Sequence, residues 1–202
     1  MRQGFQPKFI TTELDPKLLK SSFKVQTHWH VITGAACSGK TTLINKLAER
    51  GYKIVPEAGR EFIKREGKKL ITGKQHGNGA TMTRVLTEIL LRAESGLRAS
   101  DMLFLDRAFA DQISYYRIHG IDPNEILADC FRYRYASVFL LERFPFQPDG
   151  VRYEDEKTAA FLDEWHERDY RALGYDVVRV PAIPPAERAA FVIEKLKDLL
   201  LN

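Results

Sequence analysis

The chain has 202 residues, 44% of them hydrophobic, and a formal net charge of +4. That is enough apolar material for one substantial core, and the length argues against two. No apolar run approaches the roughly 20 residues that span a bilayer, the first residues lack the apolar stretch of a secretory signal, and the mild positive charge suits anionic ligands but argues against a nucleic-acid binder.

Residues 1–24, with Pro7, Pro16 and few periodic apolar positions, read as an N-terminal extension, partly ordered at best. A single domain is expected over residues 25–202. It opens with a short β-forming run at 28–33. Next come Gly34, Ala35, Ala36, Cys37, Ser38, Gly39, Lys40 and Thr41, in the pattern G-x-x-x-x-G-K-[ST]. Thr42 follows, and Leu43, Ile44, Leu47 and Ala48 fall at helical spacing. Strand, glycine-rich turn and helix form the context in which this pattern binds phosphate. The glycines let successive backbone N–H groups point into one concavity at a helix N-terminus. Lys40 would reach the β- and γ-phosphates, and the Thr41 hydroxyl would ligate Mg²⁺. A disulfide at Cys37 would obstruct that loop. Cys37 and Cys130 therefore read as free thiols in a reducing compartment, with the cytoplasm as the expected location.

Residues 52–57 read as a second strand and 58–65 as a short helix. The stretch 67–79, with four glycines and Lys68, Lys69 and Lys74, reads as a basic loop. A long helix follows, with Met82, Val85, Leu86, Ile89, Leu90, Ala93 and Leu97 on one face. Residues 101–106 form a third strand, and 108–119 a helix stopped by Gly120. Pro123 opens a further helix to about residue 133, so the aromatic and basic run at 131–135 reads as a helix end with ordinary surface arginines. A fourth strand spans 136–141, a Pro- and Arg-rich loop 142–155, a charged helix about 156–172, a fifth strand 175–180 and a closing helix 185–200. Strands separated by helices predict an α/β fold with a five-stranded, mainly parallel sheet flanked by helices. Ligands bind such sheets at the carboxyl ends of the strands.

Three further residue groups are placed at those ends. Asp106 closes an apolar strand, where it would hold the metal opposite Thr41; the alternative is a helix N-cap. Arg107 follows it, and its fork suits an anionic or hydroxyl-rich second substrate. Glu57 ends the second strand, where it could take a proton from a substrate hydroxyl, with Arg60 one helical turn on. Its alternative is a carboxylate at a helix start. Arg143 and Arg152 flank the loop at 142–155, which reads as a lid able to bring positive charge to a transferring phosphoryl group. Residues 180–184 are the expected wall of an adenine pocket.

Taken together, the runs at 32–42, 55–62, 105–111, 139–142 and 150–155 resemble the AAA domain family related to the kinase domain of NadR. The resemblance covers about residues 28–197. It implies a P-loop NTPase fold close to nucleoside and nucleotide kinases, with a lid loop. It also implies phosphate and Mg²⁺ binding by Gly34, Gly39, Lys40 and Thr41, a metal-side role for Asp106, and lid roles for Arg143 and Arg152. The family includes an animal relative linked to GTP and phosphoinositides, which leaves a regulatory reading open.

Three functions follow as expectations. The first is a Mg²⁺-dependent kinase that passes the γ-phosphoryl group of ATP, or of GTP, to a small-molecule acceptor held by Glu57, Arg60 and Arg107. The second is a nucleotide-dependent switch with a protein or phospholipid partner on the basic loop at 67–79. No N-K-x-D guanine-reading motif ends a strand, since Asn45 and Lys46 lie inside the first helix. The third is a kinase acting on nucleic-acid ends, which needs a long basic track that the sequence barely supplies.

Overall fold

Five runs of Val, Ile, Leu and Phe become one sheet in the computed structural model, which describes residues 7–36, 38–62, 79–144 and 156–201. The strands are β2 (Trp29–Thr33), β3 (Ile54–Val55), β4 (Leu103–Asp106), β6 (Ser137–Leu141) and β7 (Val177–Val180). They pair in the order β3-β4-β2-β6-β7, all parallel. A second, two-stranded parallel pair joins β1 (Val25–Gln26) to β5 (Tyr133–Arg134). The expected five-stranded parallel sheet is present.

Every residue of β2, β4 and β6 is buried, as expected where helices cover both faces of a parallel sheet. Side chains alternate between two cores. Trp29, Val31, Leu103, Leu105, Val138 and Leu140 point to one face. Ile32, Phe104, Phe139 and Leu141 point to the other, where Leu43, Leu47, Ala189, Val192 and Leu196 cover them. These last come from α1 (Lys40–Glu49) and α7 (Pro185–Leu201). The first face is covered by α3 (Gly79–Ser95), α4 (Gln112–Ile118) and α6 (Glu156–Ala172). Each such fully buried aromatic or aliphatic side chain contributes about 1.5–3 kcal/mol.

From β2 the chain goes to one side of the sheet (β3, then β4) and later to the other (β6, then β7). The loops after β2 and β6 therefore diverge, and a crevice opens at the carboxyl ends beside β2. The loop after β2 is the glycine-rich turn. Residues 58–62 form a short helix, α2, after β3.

Three expectations need correction. Residues 7–24 are not a loosely ordered extension. The amides of Lys8 and Ile10 donate to the carbonyls of Ile118 and Arg117, at 2.8 and 3.1 Å. Leu14 lies in the main core, with Leu18, Leu19 and Phe23 packed against it. The long helix expected after Pro123 is only α5 (Asn124–Leu127), followed by a 3₁₀ turn at Asp129–Phe131 and by β5. Helix propensity loses there to tertiary pairing: Lys24 N donates to Phe131 O and Val25 N to Arg132 O. Nor is the run at 131–135 a helix end: it enters a strand, and Phe131 and Tyr135 are core residues. Arg134 lies over the rings of Phe23 and Tyr175, at 4.9 and 4.5 Å. The long helix α3 buries Thr83, Thr87, Leu90 and Glu94, while Val85 is exposed. The expected apolar stripe is thus rotated, because the polar groups of that face have partners inside the protein. Among the described residues no helix is long and apolar enough to cross a membrane.

Candidate active site

Gly34 and Gly39 both have positive φ, 144° and 87°. A Cβ on Gly34 would sit 2.9 Å from Ser38 Oγ and 3.0 Å from the carbonyl of Leu141. No other residue fits that turn without strain. Gly39 is the N-cap residue of α1, so the loop delivers the chain into a helix whose free N–H groups face the crevice. Lys40 is buried, and its Nζ donates to Gly34 O at 2.8 Å, Ala35 O at 2.6 Å and Ser38 Oγ at 3.3 Å. The ammonium group thus caps the loop that a phosphate would occupy. Burial, and next the repulsion of Arg107, pull its pKa down to about 7. The negative charge of phosphate oxygens beside the ammonium group would oppose both effects and raise the pKa again. Cys37 lies outside the described residues.

One cleft of about 570 Å³ collects most of the expected site residues. The glycine-rich loop and the start of α1 line one wall, through Ala36, Gly39, Lys40, Thr41 and Thr42. Glu57, Arg60 and Arg107 stand beside them. Arg60 Nη1 donates to Thr41 Oγ1 at 3.1 Å. Glu57 has Arg60 at 3.4 Å and Arg107 at 3.6 Å, so one carboxylate faces two guanidinium groups.

Asp106 is buried at the end of β4. Its Oδ1 has no hydrogen-bond partner among the described residues. Burial, then the charge of Glu57, pushes its pKa up, against the pull of Arg107 and Lys40. A buried carboxylate oxygen with nothing to accept from is what a cation would satisfy, so the donor set fits Mg²⁺. No group of three or more acidic, His or Cys side chains that could hold a metal occurs among the described residues. Thr41 and Asp106 would therefore share the ion with phosphate oxygens and water.

The opposite wall was not legible in the sequence. It consists of Met82, Thr83, Leu86 and Leu90 on α3, with Gln112, Tyr115 and His119 around α4. Arg107 lies 5.2 Å from the centre of the Tyr115 ring. The Thr87 hydroxyl donates to Gln112 Oε1 at 3.2 Å, which fixes the amide at the cleft edge. One signal is available: Thr83 and Thr87 repeat at i, i+4, next to the apolar positions of the same helix.

Nothing in the sequence marks Arg188 of α7. It is buried and donates to three carbonyls from separate segments. Nε reaches Pro181 O at 2.7 Å, Nη2 reaches Glu142 O at 2.9 Å, and Nη1 bonds Ser38 O. It lies 4.3 Å from the Phe144 ring centre. One side chain thus joins the glycine-rich loop, the end of β6 and the end of β7. Arg143 is half-buried just after β6. Arg152 and the loop at 67–78 lie outside the described residues.

The family model described as an AAA domain matches residues 29–188. No curated protein matches the chain in sequence. Solved structures of the same fold include a deoxyadenosine kinase from M. mycoides with dCMP and a flexible dCDP bound, with TM-score 0.60, 16% identity, and coverage of 85% of this chain and 99% of that one. A thymidylate kinase from Ehrlichia chaffeensis matches with TM-score 0.61, 14% identity, and coverage of 85% and 99%. The NadR protein in complex with NR matches with TM-score 0.62 and 19% identity, over 86% of this chain and 51% of that one.

Proposed function

The chain belongs to the AAA domain family, and from that membership and its kinase-like fold we propose that it transfers the γ-phosphoryl group of ATP to a small acceptor of nucleoside or nucleotide type. The observation that carries the proposal is the cleft beside the glycine-rich loop. It joins a phosphate-binding loop on one wall to a carboxylate, two arginines and a mixed polar and apolar surface on the other. A site for hydrolysis alone does not need that second wall.

Phosphates of the nucleotide would lie on the N–H groups at the start of α1. The Nζ of Lys40 would leave the carbonyls of Gly34 and Ala35 for the β- and γ-oxygens. Thr41 and Asp106 would hold Mg²⁺, which when bound would supply charge neutralisation at those oxygens. Glu57 would accept the acceptor hydroxyl's proton as its oxygen bonds to the γ-phosphorus. The bond from that phosphorus to the bridging oxygen breaks, releasing ADP and the phosphorylated acceptor. Arg60 and Arg107, beside Glu57, would orient the acceptor. The loop at 142–155 would act as a lid, and Arg143 and Arg152 would add positive charge to the transferring phosphoryl group as it closes. Residues 180–184, tied to the phosphate loop through Arg188, would form a wall for the nucleotide base.

The deoxyadenosine and thymidylate kinases of the same fold favour a nucleoside or nucleoside monophosphate as acceptor. The test is incubation with Mg²⁺ and [γ-³²P]ATP, with and without a pool of nucleosides, nucleoside monophosphates and cell metabolites. Lys40→Ala serves as the control. A labelled metabolite, absent with the variant, is expected. Slow release of free phosphate that ignores the pool would overturn the proposal in favour of a nucleotide-dependent switch.

A further inference from the structure

Arg107 is the only non-glycine described residue with positive φ, at 69°. The left-handed region is unfavourable for a long L side chain, and such a conformation persists only where the surroundings hold it. The two peptide groups that follow show what holds it. Ala108 N donates to Asp111 Oδ2 at 2.8 Å, and Phe109 N donates to Glu94 Oε1 at 2.7 Å. Arg107 N itself donates to Ile32 O at 3.0 Å. Three consecutive amides are therefore anchored in three different elements.

Both carboxylates are deeply buried, and neither lines the cleft. Asp111 Oδ1 accepts from Thr33 Oγ1 at 2.5 Å, and Thr33 is the residue before the glycine-rich loop. Glu94 comes from α3, the helix of the opposite wall, and also accepts from Tyr135 OH at 3.1 Å. Asp111 alone would serve as a local cap for the 3₁₀ turn at Phe109–Asp111. Glu94 is not local: it lies 15 residues from Phe109, and among the described residues its buried acid meets only that amide and the Tyr135 hydroxyl. Burying a carboxylate is costly unless its bonds are needed.

The geometry points to Glu94 and Asp111 as positioning residues that clamp residues 107–109, hold Arg107 left-handed, and so present its guanidinium to Glu57 and the acceptor cleft. This rests on the proposed function for the role of Arg107 but not for the clamp itself. The clamp ties three parts together: the base of the phosphate loop through Thr33, the strand end bearing Asp106, and the acceptor wall through α3. Displacement of any one part is felt at Arg107.

The test has two arms. In the first, amide hydrogen exchange is followed residue by residue in the intact protein and in Glu94→Gln, Glu94→Ala and Asp111→Asn. The amides of Ala108 and Phe109 should be strongly protected in the native protein. That of Phe109 should exchange at least about tenfold faster in Glu94→Ala, with Glu94→Gln between. Exchange of these two native amides at open-loop rates would sink the clamp outright, with no variant needed.

In the second arm, kinetics are measured with ATP–Mg²⁺ and either deoxyadenosine or thymidine monophosphate as acceptor probe. Glu94→Gln should raise the acceptor KM about tenfold while moving the ATP KM by less than about threefold. If neither probe is phosphorylated by the native protein, the functional reading suffers, and the exchange arm still decides the clamp. Equal rises in both KM values, or faster exchange with an unchanged acceptor KM, would overturn the positioning role while leaving a kinase in place.

Discussion

At Gly34 the backbone itself is the functional group. The loop turns there at φ 144°, with the Leu141 carbonyl 3.0 Å from where a Cβ would stand. Gly34→Ala should cost about 1–3 kcal/mol of stability and remove most nucleotide affinity, read by urea denaturation and fluorescent-ATP titration. Unchanged affinity would mean that the loop tolerates another shape. The role proposed for Glu57 makes a different demand, because it is chemical. Glu57→Gln keeps the shape but removes the proposed proton acceptor. It should lower kcat by about a hundredfold or more while shifting the melting temperature little. Full activity of that variant would remove Glu57 as the base.

Among the helices, α3 carries the least expected load. Its buried stripe of Thr83, Thr87, Leu90 and Glu94 binds a cleft wall to the strand-end loop, where an ordinary amphipathic helix would bury only aliphatic groups. Burial pushes Glu94 up from 4.5 to about 7, the nearby charge of Asp111 adding to the shift and the bonds from Phe109 and Tyr135 opposing it. The folded state therefore holds a proton between those values that the unfolded chain has released. Stability from this group is full below the unfolded value and is lost as pH rises through the folded one. Relative to Glu94→Gln, the native protein should lose about 2–3 kcal/mol between pH 5 and pH 8. Urea titrations at the two pH values check this; a constant difference would mean that Glu94 stays ionised throughout.

Across the whole molecule, a buried ion pair ties the first described residues to the core. Arg117 of α4 meets Asp169 of α6 at 2.8 Å, donates to Thr12 O at 2.6 Å, and lies 4.0 Å from the centre of the Trp165 ring. Ser114 gives Asp169 a further bond at 2.9 Å. Arg117→Met alone should cost about 3–5 kcal/mol, since it strands a buried carboxylate. Adding Asp169→Leu should recover part of that loss, which a thermal-melt double-mutant cycle measures. A double variant no better than the single one would show that the Thr12 and Trp165 contacts carry the effect.

These contacts mark the division between local and long-range information in this protein. The sequence by itself determined the five strands of the main sheet and their parallel α/β arrangement, the glycine-rich turn with Lys40 and Thr41, and Glu57, Asp106 and Arg107 at or just past strand ends. Each is written in a short window: a period of two or 3.6, a glycine demanded by positive φ, a carboxylate closing an apolar run. Only the tertiary structure decided that Thr83, Gln112, Tyr115 and His119 form the far wall of the cleft and that Arg188 bonds the phosphate loop across 150 residues. It likewise decided that Glu94 meets Phe109, that residues 131–135 enter the core, and that residues 7–24 pack against it. Those partners meet through space. A buried polar side chain is stable only beside a group that local periodicity does not specify, so its place emerges once the sheet has brought distant segments together.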